Sequence, residues 1–546
     1  MTKEDNALQS IFGGAEITLI CGVFGYVLIF FLKLLLNYYF GTAQYGIIQF
    51  LMTILGFGSL IASLGVSQLV IVFIPKYIAQ KKEGLLVGLK KYSWSVSIAS
   101  SIIVAVILFI CANSVASFFD FTSTVGILIV LLSYFLPLRV LSELLSARLV
   151  AQADPIFPSF SQQILDRLIL FFGVGFCVAL HKSVYWYVLF IGISYLLQFL
   201  FLLLGLIFHH HPVSSNVAGK TGNSRTGNSL TGSSLTGHSP IAAQFEIKDW
   251  VIFSLPLIFS SLIGYVFDWT DYFTVAKFFD AQTLGMYDLT YSLAGYLLFI
   301  PAVFGTLFIP VLTQLYINDK TAFLHVWAKL QVFVFVCVTA FVMVLFTFAH
   351  EFLVGLYGPI FVMTVPMLRL LVVCFLFANM FSYTQNILLM QGHTRFILGT
   401  MLLFGLLDFI VNIISAKFFG SVTGVALSTG VFLLMLKWCE WKKATKQIKL
   451  KLPVVSFVKV ILLGIIGSLF AEFCFSMFHL LGNSSTYLLV SAIISSIFAI
   501  LFFFVIAIKQ KLVPLSELQM LRKNIVAISH ELPHWHHALP RRRLSK

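Results

Sequence analysis

Charge is what this sequence has least of. Only 10% of its 546 residues are Asp, Glu, Lys or Arg, against 59% hydrophobic ones. With a mean hydropathy of +0.98, the chain cannot give itself the charged surface that keeps a globular domain in water, so a soluble enzyme or binding module is excluded. Cysteine is also scarce. Cys21, Cys111, Cys177, Cys337, Cys374, Cys439 and Cys474 all fall inside apolar runs without a C-x-x-C pair. That spacing argues against a metal site or disulfide framework and reads them as small core hydrophobes. No Gly-rich phosphate loop occurs, so the chain itself has nowhere to hydrolyse ATP. No small-residue cleavage site follows the mixed charges of Met1–Asn6, which makes the first apolar run an expected anchor and not a removable signal.

One motif is present only in its letters. His530-Glu531-Leu532-Pro533-His534 matches the H-E-x-x-H pattern, but zinc hydrolysis needs both histidines on one regular helix. Pro533 interrupts that turn. With His536, His537 and Arg541–Arg543, the segment reads as a basic tail that meets anionic lipid headgroups. No catalytic residue, metal or cofactor is expected.

What the sequence does have is apolar runs of about 18–25 residues, each long enough for one spanning helix. About fourteen recur between Ile11 and Ile508. The first six are expected near 10–38, 45–74, 92–118, 125–149, 160–180 and 184–208. Six more follow near 249–275, 284–314, 322–349, 361–389, 396–416 and 421–440, and a last pair near 454–479 and 486–508. The fold class is thus an all-α polytopic membrane protein. The net charge of +14 does not mark a nucleic-acid binder, because Lys76, Lys81, Lys82, Lys90 and Lys91 crowd one loop and Lys437, Lys442, Lys443, Lys446, Lys449 and Lys451 another. Alternate loops are nearly bare. Basic residues in every second loop put both termini in the cytoplasm and make the span count even. No loop on the opposite side has room for a catalytic domain.

Between the sixth and seventh runs the chain turns polar. After His209-His210-His211, a pentapeptide of the type Thr221-Gly222-Asn223-Ser224-Arg225 repeats to Ser239. Gly, Ser and Thr at this density bury no core, so the segment reads as a flexible tether. The two sides of the tether echo each other. Phe278-Phe279-Asp280-Ala281-Gln282-Thr283-Leu284-Gly285 resembles Tyr39-Phe40-Gly41-Thr42-Ala43-Gln44-Tyr45-Gly46, and Leu388-Leu389-Met390-Gln391-Gly392 resembles Leu149-Val150-Ala151-Gln152-Ala153. Both pairs share an offset of 239 positions, 46 to 285 and 152 to 391. Phe73-Ile74-Pro75 and Phe308-Ile309-Pro310 form a third pair. Three matches in one order point to a duplicated unit, two six-helix lobes in a parallel repeat plus two C-terminal helices.

A charge at bilayer depth costs about 2.5–3.5 kcal/mol, so such residues face a cavity or a partner. The candidates are Glu16, Arg139, Glu143, Asp166, Arg167, Asp268, Asp271, Arg369 and Asp408. Arg139 and Glu143 stand one turn apart and can neutralise each other. Asp268 and Asp271, three apart on one helix face beyond the Pro256 bend, repel when both are ionised. Binding of a proton or Na⁺ is favoured there; a solvated, inert pair near the interface is the alternative. Asp408 and Asn412 make a polar patch that serves equally as helix-packing glue. Lys33 and Arg148, near helix ends, are expected to snorkel. Arg369 has no local partner.

On Phe40-Gly41-Thr42-Ala43-Gln44-Tyr45-Gly46, Ser63-Leu64-Gly65-Val66-Ser67, Phe73-Ile74-Pro75, Leu255-Pro256-Leu257, Asp271, Gly285-Met286-Tyr287 and Gly392-His393-Thr394-Arg395, the chain resembles the polysaccharide-flippase (Wzx-like) family of the multidrug/oligosaccharidyl-lipid/polysaccharide exporter (MOP) superfamily. The resemblance implies two six-helix lobes around a central cavity and alternating access. It further implies a bacterial inner-membrane location, a polyprenyl-diphosphate-linked oligosaccharide as substrate, and a place in O-antigen, capsule or exopolysaccharide synthesis beside a polymerase and a chain-length regulator. The sequence departs from the family where a basic residue is common, at Tyr38, Val72 and Tyr272. Arg139, Arg167 and Arg369 would then serve the diphosphate, and Asp271, Asp268, Glu16 and Asp408 the coupling ion. Residues 1–211 and 245–448 are the expected lobes, 212–244 the linker, 449–510 the extra pair and 511–546 the basic tail. A lipid II or small-molecule exporter is the alternative, and a membrane polymerase or glycosyltransferase the rival outside transport.

Overall fold

The computed structural model describes residues 3–152, 154–208, 243–318, 320–448, 450–479 and 485–512. The pentapeptide linker, the three histidines before it and the tail with the H-E-x-x-H letters lie outside the described residues. Among the described residues all regular structure is helical. Among these described residues thirteen helical stretches are long and apolar enough to cross a membrane, and there are fourteen if a pair bent by 44° is counted as one span. The chain is a multi-pass membrane protein.

The first half runs through α1 (Lys3–Phe40), α2 (Thr42–Ser63), α3 (Val66–Ala79), α4 (Glu83–Phe118), α5 (Ser123–Ser133), α6 (Leu136–Ala151), α7 (Ile156–Phe160), α8 (Asp166–Ala179) and α9 (Val184–Phe208). Two expected single spans are broken. The run at 45–74 breaks at Leu64 and Gly65, which both take left-handed backbone angles (φ 45° and 67°). The run at 125–149 bends between α5 and α6, where Pro137 has no amide hydrogen to give to the preceding turn. Between α7 and α8, Ser161–Leu165 form a π-helical turn, a device often found at functional sites.

The second half contains α10 (Ile247–Phe278), α11 (Ala281–Asn318), α12 (Lys320–Thr347), α13 (Ala349–Tyr357), a 3₁₀ turn at Pro359–Thr364, α14 (Val365–Asn379), α15 (Thr384–Met390), α16 (Thr394–Phe419), α17 (Val422–Ile448), α18 (Val454–His479) and α19 (Ser485–Lys509). The span expected at 361–389 is interrupted before α15, where Tyr383 adopts φ 63°. α10 is continuous despite Pro256.

Two compact units result, one of Met1–Leu289 with Met401–Val425, the other of Thr290–Thr400 with Ala426–Lys546. In the first, α3 packs on α4 and α6 around Leu69, Val70, Phe73, Ile74 and Leu144, and Trp250 of α10 is buried in the same cluster. Trp250 Nε1 donates to the Tyr77 hydroxyl at 2.8 Å, and that hydroxyl donates to Glu246 Oε2 at 2.8 Å. The chain therefore resumes after the linker already docked on α3.

The duplicated turns meet each other in this unit. A Cβ on Gly46 would lie 2.1 Å from the Ala281 carbonyl oxygen, and one on Gly285 2.2 Å from that of Thr42. Ala281 follows Thr42 by the same 239 positions that separate Gly285 from Gly46. The contact between the starts of α2 and α11 is thus self-complementary, as two related surfaces make around a two-fold axis. Only bare glycine backbone permits this approach.

The second unit is built on α12. Its apolar stretch is 72% buried, because α14, α18 and α19 pack around it. A helix apolar on all sides belongs at a core. Its one buried amide is half satisfied: Gln331 Nε2 donates to the Asn379 carbonyl at 2.6 Å, while Oε1 accepts no hydrogen bond among the described residues.

Candidate functional site: a polar cavity and a buried acidic network

A cavity of about 370 Å³ opens in the first unit between α2, α3, α6, the π-helical turn and α10. α6 delivers Arg139 two residues after Pro137, and its helical repeat puts Glu143 on the same face. Arg139 Nε meets Glu143 Oε1 at 3.3 Å, the mutual neutralisation expected from the sequence. Its Nη1 donates to the Tyr195 hydroxyl of α9 at 3.1 Å, with the guanidinium 5.6 Å from that ring. From the π turn Gln162 enters the lining and donates to Ser146 Oγ at 3.1 Å. Tyr265 of α10 closes one side, held by its hydroxyl bond to the Thr53 carbonyl at 2.8 Å. The rest of the polar lining is neutral, with Ser59, Gln68 and Ser261 among it. One exchangeable ion pair among hydroxyls, amides and an aromatic ring can bind an anionic group and uncharged sugar hydroxyls together.

Of the three cations expected to serve the substrate, only Arg139 lines this cavity. Arg167 lies 3.5 Å from its neighbour Asp166, whose Oδ1 also accepts Ser194 Oγ at 2.5 Å and Gln198 Nε2 at 2.8 Å. Arg369 belongs to the second unit and lines a different pocket.

The acidic candidates separate as well. Asp268 is exposed whereas Asp271 is only 3% exposed. Three residues turn a helix through about 300°, and the remaining offset is enough to give the two carboxylates different surroundings. Asp271 accepts a hydrogen bond from the Tyr287 hydroxyl of α11. Thr270, its chain neighbour, donates to Asp408 Oδ2 of α16 at 3.0 Å, and Asn412 Nδ2 donates to the same oxygen at 3.1 Å. Asp408 is 1% exposed, and the Asn412 Oδ1 acceptor is buried without a protein donor among the described residues. The side chain of Glu16 lies outside the described residues.

Two basic residues expected to snorkel do not. Lys33 Nζ forms an ion pair with Asp288 Oδ2 at 2.8 Å, and the same oxygen accepts the Tyr45 hydroxyl at 2.5 Å. Asp288 was no candidate at all. Its position inside an apolar run was the available signal, since an intramembrane carboxylate needs a partner. Arg148 is 4% exposed; it bonds the Lys90 carbonyl at 2.7 Å and the Ser93 hydroxyl at 2.8 Å and stacks 5.1 Å from Trp94.

Residues 13–316 match the family described as polysaccharide biosynthesis protein. The chain belongs to that family. The matched stretch contains every residue of the Arg139 cavity together with Asp271 and Asp288, and it stops before Asp408 and Arg369. No curated protein sequence gives a significant match. Among solved structures, this polysaccharide biosynthesis family member is similar to the lipid II flippase MurJ in an inward closed conformation. The TM-score is 0.66 at 14% identity, over 91% of this chain and 99% of that one. It is also similar to the inward-facing conformation of a multidrug resistance MATE family transporter of the MOP superfamily, with a TM-score of 0.58 at 13% identity over 81% and 94%. A MATE in the bent conformation gives 0.55 at 13% over 84% and 99%. The chain shares the fold of these flippase and transporter structures.

Proposed function

We propose that this family member is a flippase that carries a polyprenyl-diphosphate-linked oligosaccharide across a bacterial inner membrane by alternating access. The observation that carries the reading is the single exchangeable Arg139–Glu143 pair in an otherwise neutral polar cavity. An arriving diphosphate competes with Glu143 for the guanidinium, neutral sugars meet Gln68, Gln162, Ser59 and Tyr265, and the lipid tail stays in the bilayer. Both termini and the linker are cytoplasmic on this reading, and the product serves surface polysaccharide synthesis together with a polymerase and a chain-length regulator. Residues 1–211 and 245–448 act as the two lobes.

Arg139→Gln is expected to weaken binding of the diphosphate-linked substrate about tenfold or more, since a hydrogen bond to a charged group contributes roughly 1.5–3 kcal/mol. Glu143→Gln is expected to strengthen it, because the competing carboxylate is gone. Titration of purified protein with the lipid-linked sugar measures both. Equal affinities for the wild type and Arg139→Gln would remove the cavity from the transport path. A lipid II substrate is the second reading, favoured by the 91% of the chain that superposes on MurJ. Flipping of lipid II but not of a polyprenyl-diphosphate oligosaccharide by proteoliposomes would select it.

Transport is driven by a proton or Na⁺ gradient through Asp271 and Asp408. Asp271, Asp408 and the free Asn412 acceptor give a buried, oxygen-rich site, and ion binding moves the protein only if it differs between the two facing states. Asp271→Asn or Asp408→Asn is expected to abolish gradient-driven flipping while substrate binding persists. The exposed Asp268→Asn is expected to be mild, shifting the ion dependence at most. Normal gradient dependence in an Asp271→Asn/Asp408→Asn variant would sink this assignment.

A further inference from the structure

Arg369 is not among the residues that line the Arg139 cavity, yet it does not stand alone. It lines a separate pocket of about 340 Å³ in the second unit, between α12, α14 and α18, whose lining also includes Thr347, Ser468 and Glu472. Arg369 Nε donates to the Phe346 carbonyl at 3.2 Å and the guanidinium lies 5.6 Å from the Phe346 ring. Its terminal nitrogens form no ion pair among the described residues, and neither does the Glu472 carboxylate. The Thr347 hydroxyl is buried without a partner among the described residues. The pocket thus holds one cation, one anion and an unsatisfied hydroxyl, all within a membrane-spanning bundle.

The surroundings say what reaches it. Ile465 and Leu469 of α18, on the pocket wall, are 54% and 62% exposed, and large apolar side chains exposed on a spanning helix face acyl chains. Arg369 is in the second turn of α14, Thr347 ends α12, and Glu472 sits two turns before the end of α18. The pocket therefore lies toward one membrane interface, at headgroup depth for a lipid lying against α18. Exposed charges of both signs at that depth are costly unless something supplies both counter-charges.

We propose that this pocket binds the headgroup of a zwitterionic membrane phospholipid, phosphatidylethanolamine. The phosphate meets the Arg369 guanidinium, the ammonium meets Glu472, and the Thr347 and Ser468 hydroxyls donate to phosphate or ester oxygens while the acyl chains run along Ile465 and Leu469. A guanidinium suits phosphate, and a carboxylate suits an ammonium that still carries N–H donors. Phosphatidylglycerol offers no cation to Glu472, and phosphatidylcholine offers one without N–H donors, so both fit less well.

Native mass spectrometry of the full chain in mixed micelles containing equal amounts of the three lipids tests this. Preferential retention of phosphatidylethanolamine is expected, reduced about tenfold in Arg369→Gln and in Glu472→Gln, as loss of a hydrogen bond to a charged group implies. Both side chains are exposed, so both variants are expected to keep the wild-type melting temperature. Equal retention of phosphatidylglycerol by the wild type would overturn the proposal, as would wild-type retention by Glu472→Gln. A matched fall in melting temperature with unchanged lipid retention would also overturn it, because the two charges would then serve only each other.

Discussion

Lys33→Met is expected to destabilise the protein by about 3–5 kcal/mol, the usual consequence of removing one partner of a buried ion pair. The magnitude follows from where Asp288 sits. The residue is 7% exposed, and one of its oxygens holds both the Lys33 ammonium and the Tyr45 hydroxyl. Without Lys33 the carboxylate would stay in an apolar setting with only a phenol to face it. Asp288→Asn should also destabilise, because it removes the counter-charge that the half-buried Lys33 ammonium meets at 2.8 Å. The double variant Lys33→Met/Asp288→Asn should recover much of the loss, since replacing both partners of such a pair is often close to neutral. Thermal melting of the four proteins in detergent checks it. Simple additivity of the two single losses would mean that Lys33 and Asp288 are stabilised separately. The pair also adjoins the proposed coupling site. Tyr287, next to Asp288, holds Asp271, so one turn of α11 joins the proposed coupling carboxylate to α1 and α2.

How much of this was legible in the sequence depended on distance along the chain. Arg139 with Glu143, and Asp408 with Asn412, are one helical turn apart, and helical spacing alone gives their contacts. The apolar runs that became α9 and α18 were readable almost to the residue, because length and hydropathy dictate a spanning helix. Lys33 and Asp288 are 255 positions apart. A local reading placed Lys33 at a helix end, where lysines usually snorkel, and nothing nearby hinted at a partner on α11. The break at Leu64–Gly65 and the π turn at Ser161–Leu165 were likewise hidden. Both sit inside uniformly apolar or mixed runs, where hydropathy is blind to which backbone bond is lost. Arg369 reads as a charge needing a partner and is assigned from sequence to the substrate diphosphate, whereas the pocket it lines is completed by α18 residues about a hundred positions later, beyond any local reading. The glycine echo had the opposite fate. Three weak matches implied a repeat, and two of the repeated glycines turned out to touch.

That contact carries the second large effect. Gly46→Ala and Gly285→Ala are each expected to cost about 1–3 kcal/mol, the range for forcing extra carbon into a packed site. The upper end is expected here, because the obstructing atoms are backbone. The Ala281 carbonyl oxygen would be 2.1 Å and the Gly285 nitrogen 2.8 Å from the new Cβ at 46, and the Thr42 carbonyl oxygen 2.2 Å from the one at 285. Neither clash can be relieved by a side-chain rotation, so α2 and α11 must separate. Since each substitution separates the same two helices, the second should cost less than the first, and the double variant should fall well short of the sum. Gly264→Ala is the control. It lies in α10 with open space where its Cβ would go, and is expected to be neutral or to gain up to about 1 kcal/mol in helix propensity. Melting curves of the four variants decide the matter. A Gly46→Ala protein as stable as Gly264→Ala would show that the α2–α11 crossing is loose. Full additivity of the two glycine variants would show that they act at separate places, and the two-fold character of the contact would be lost.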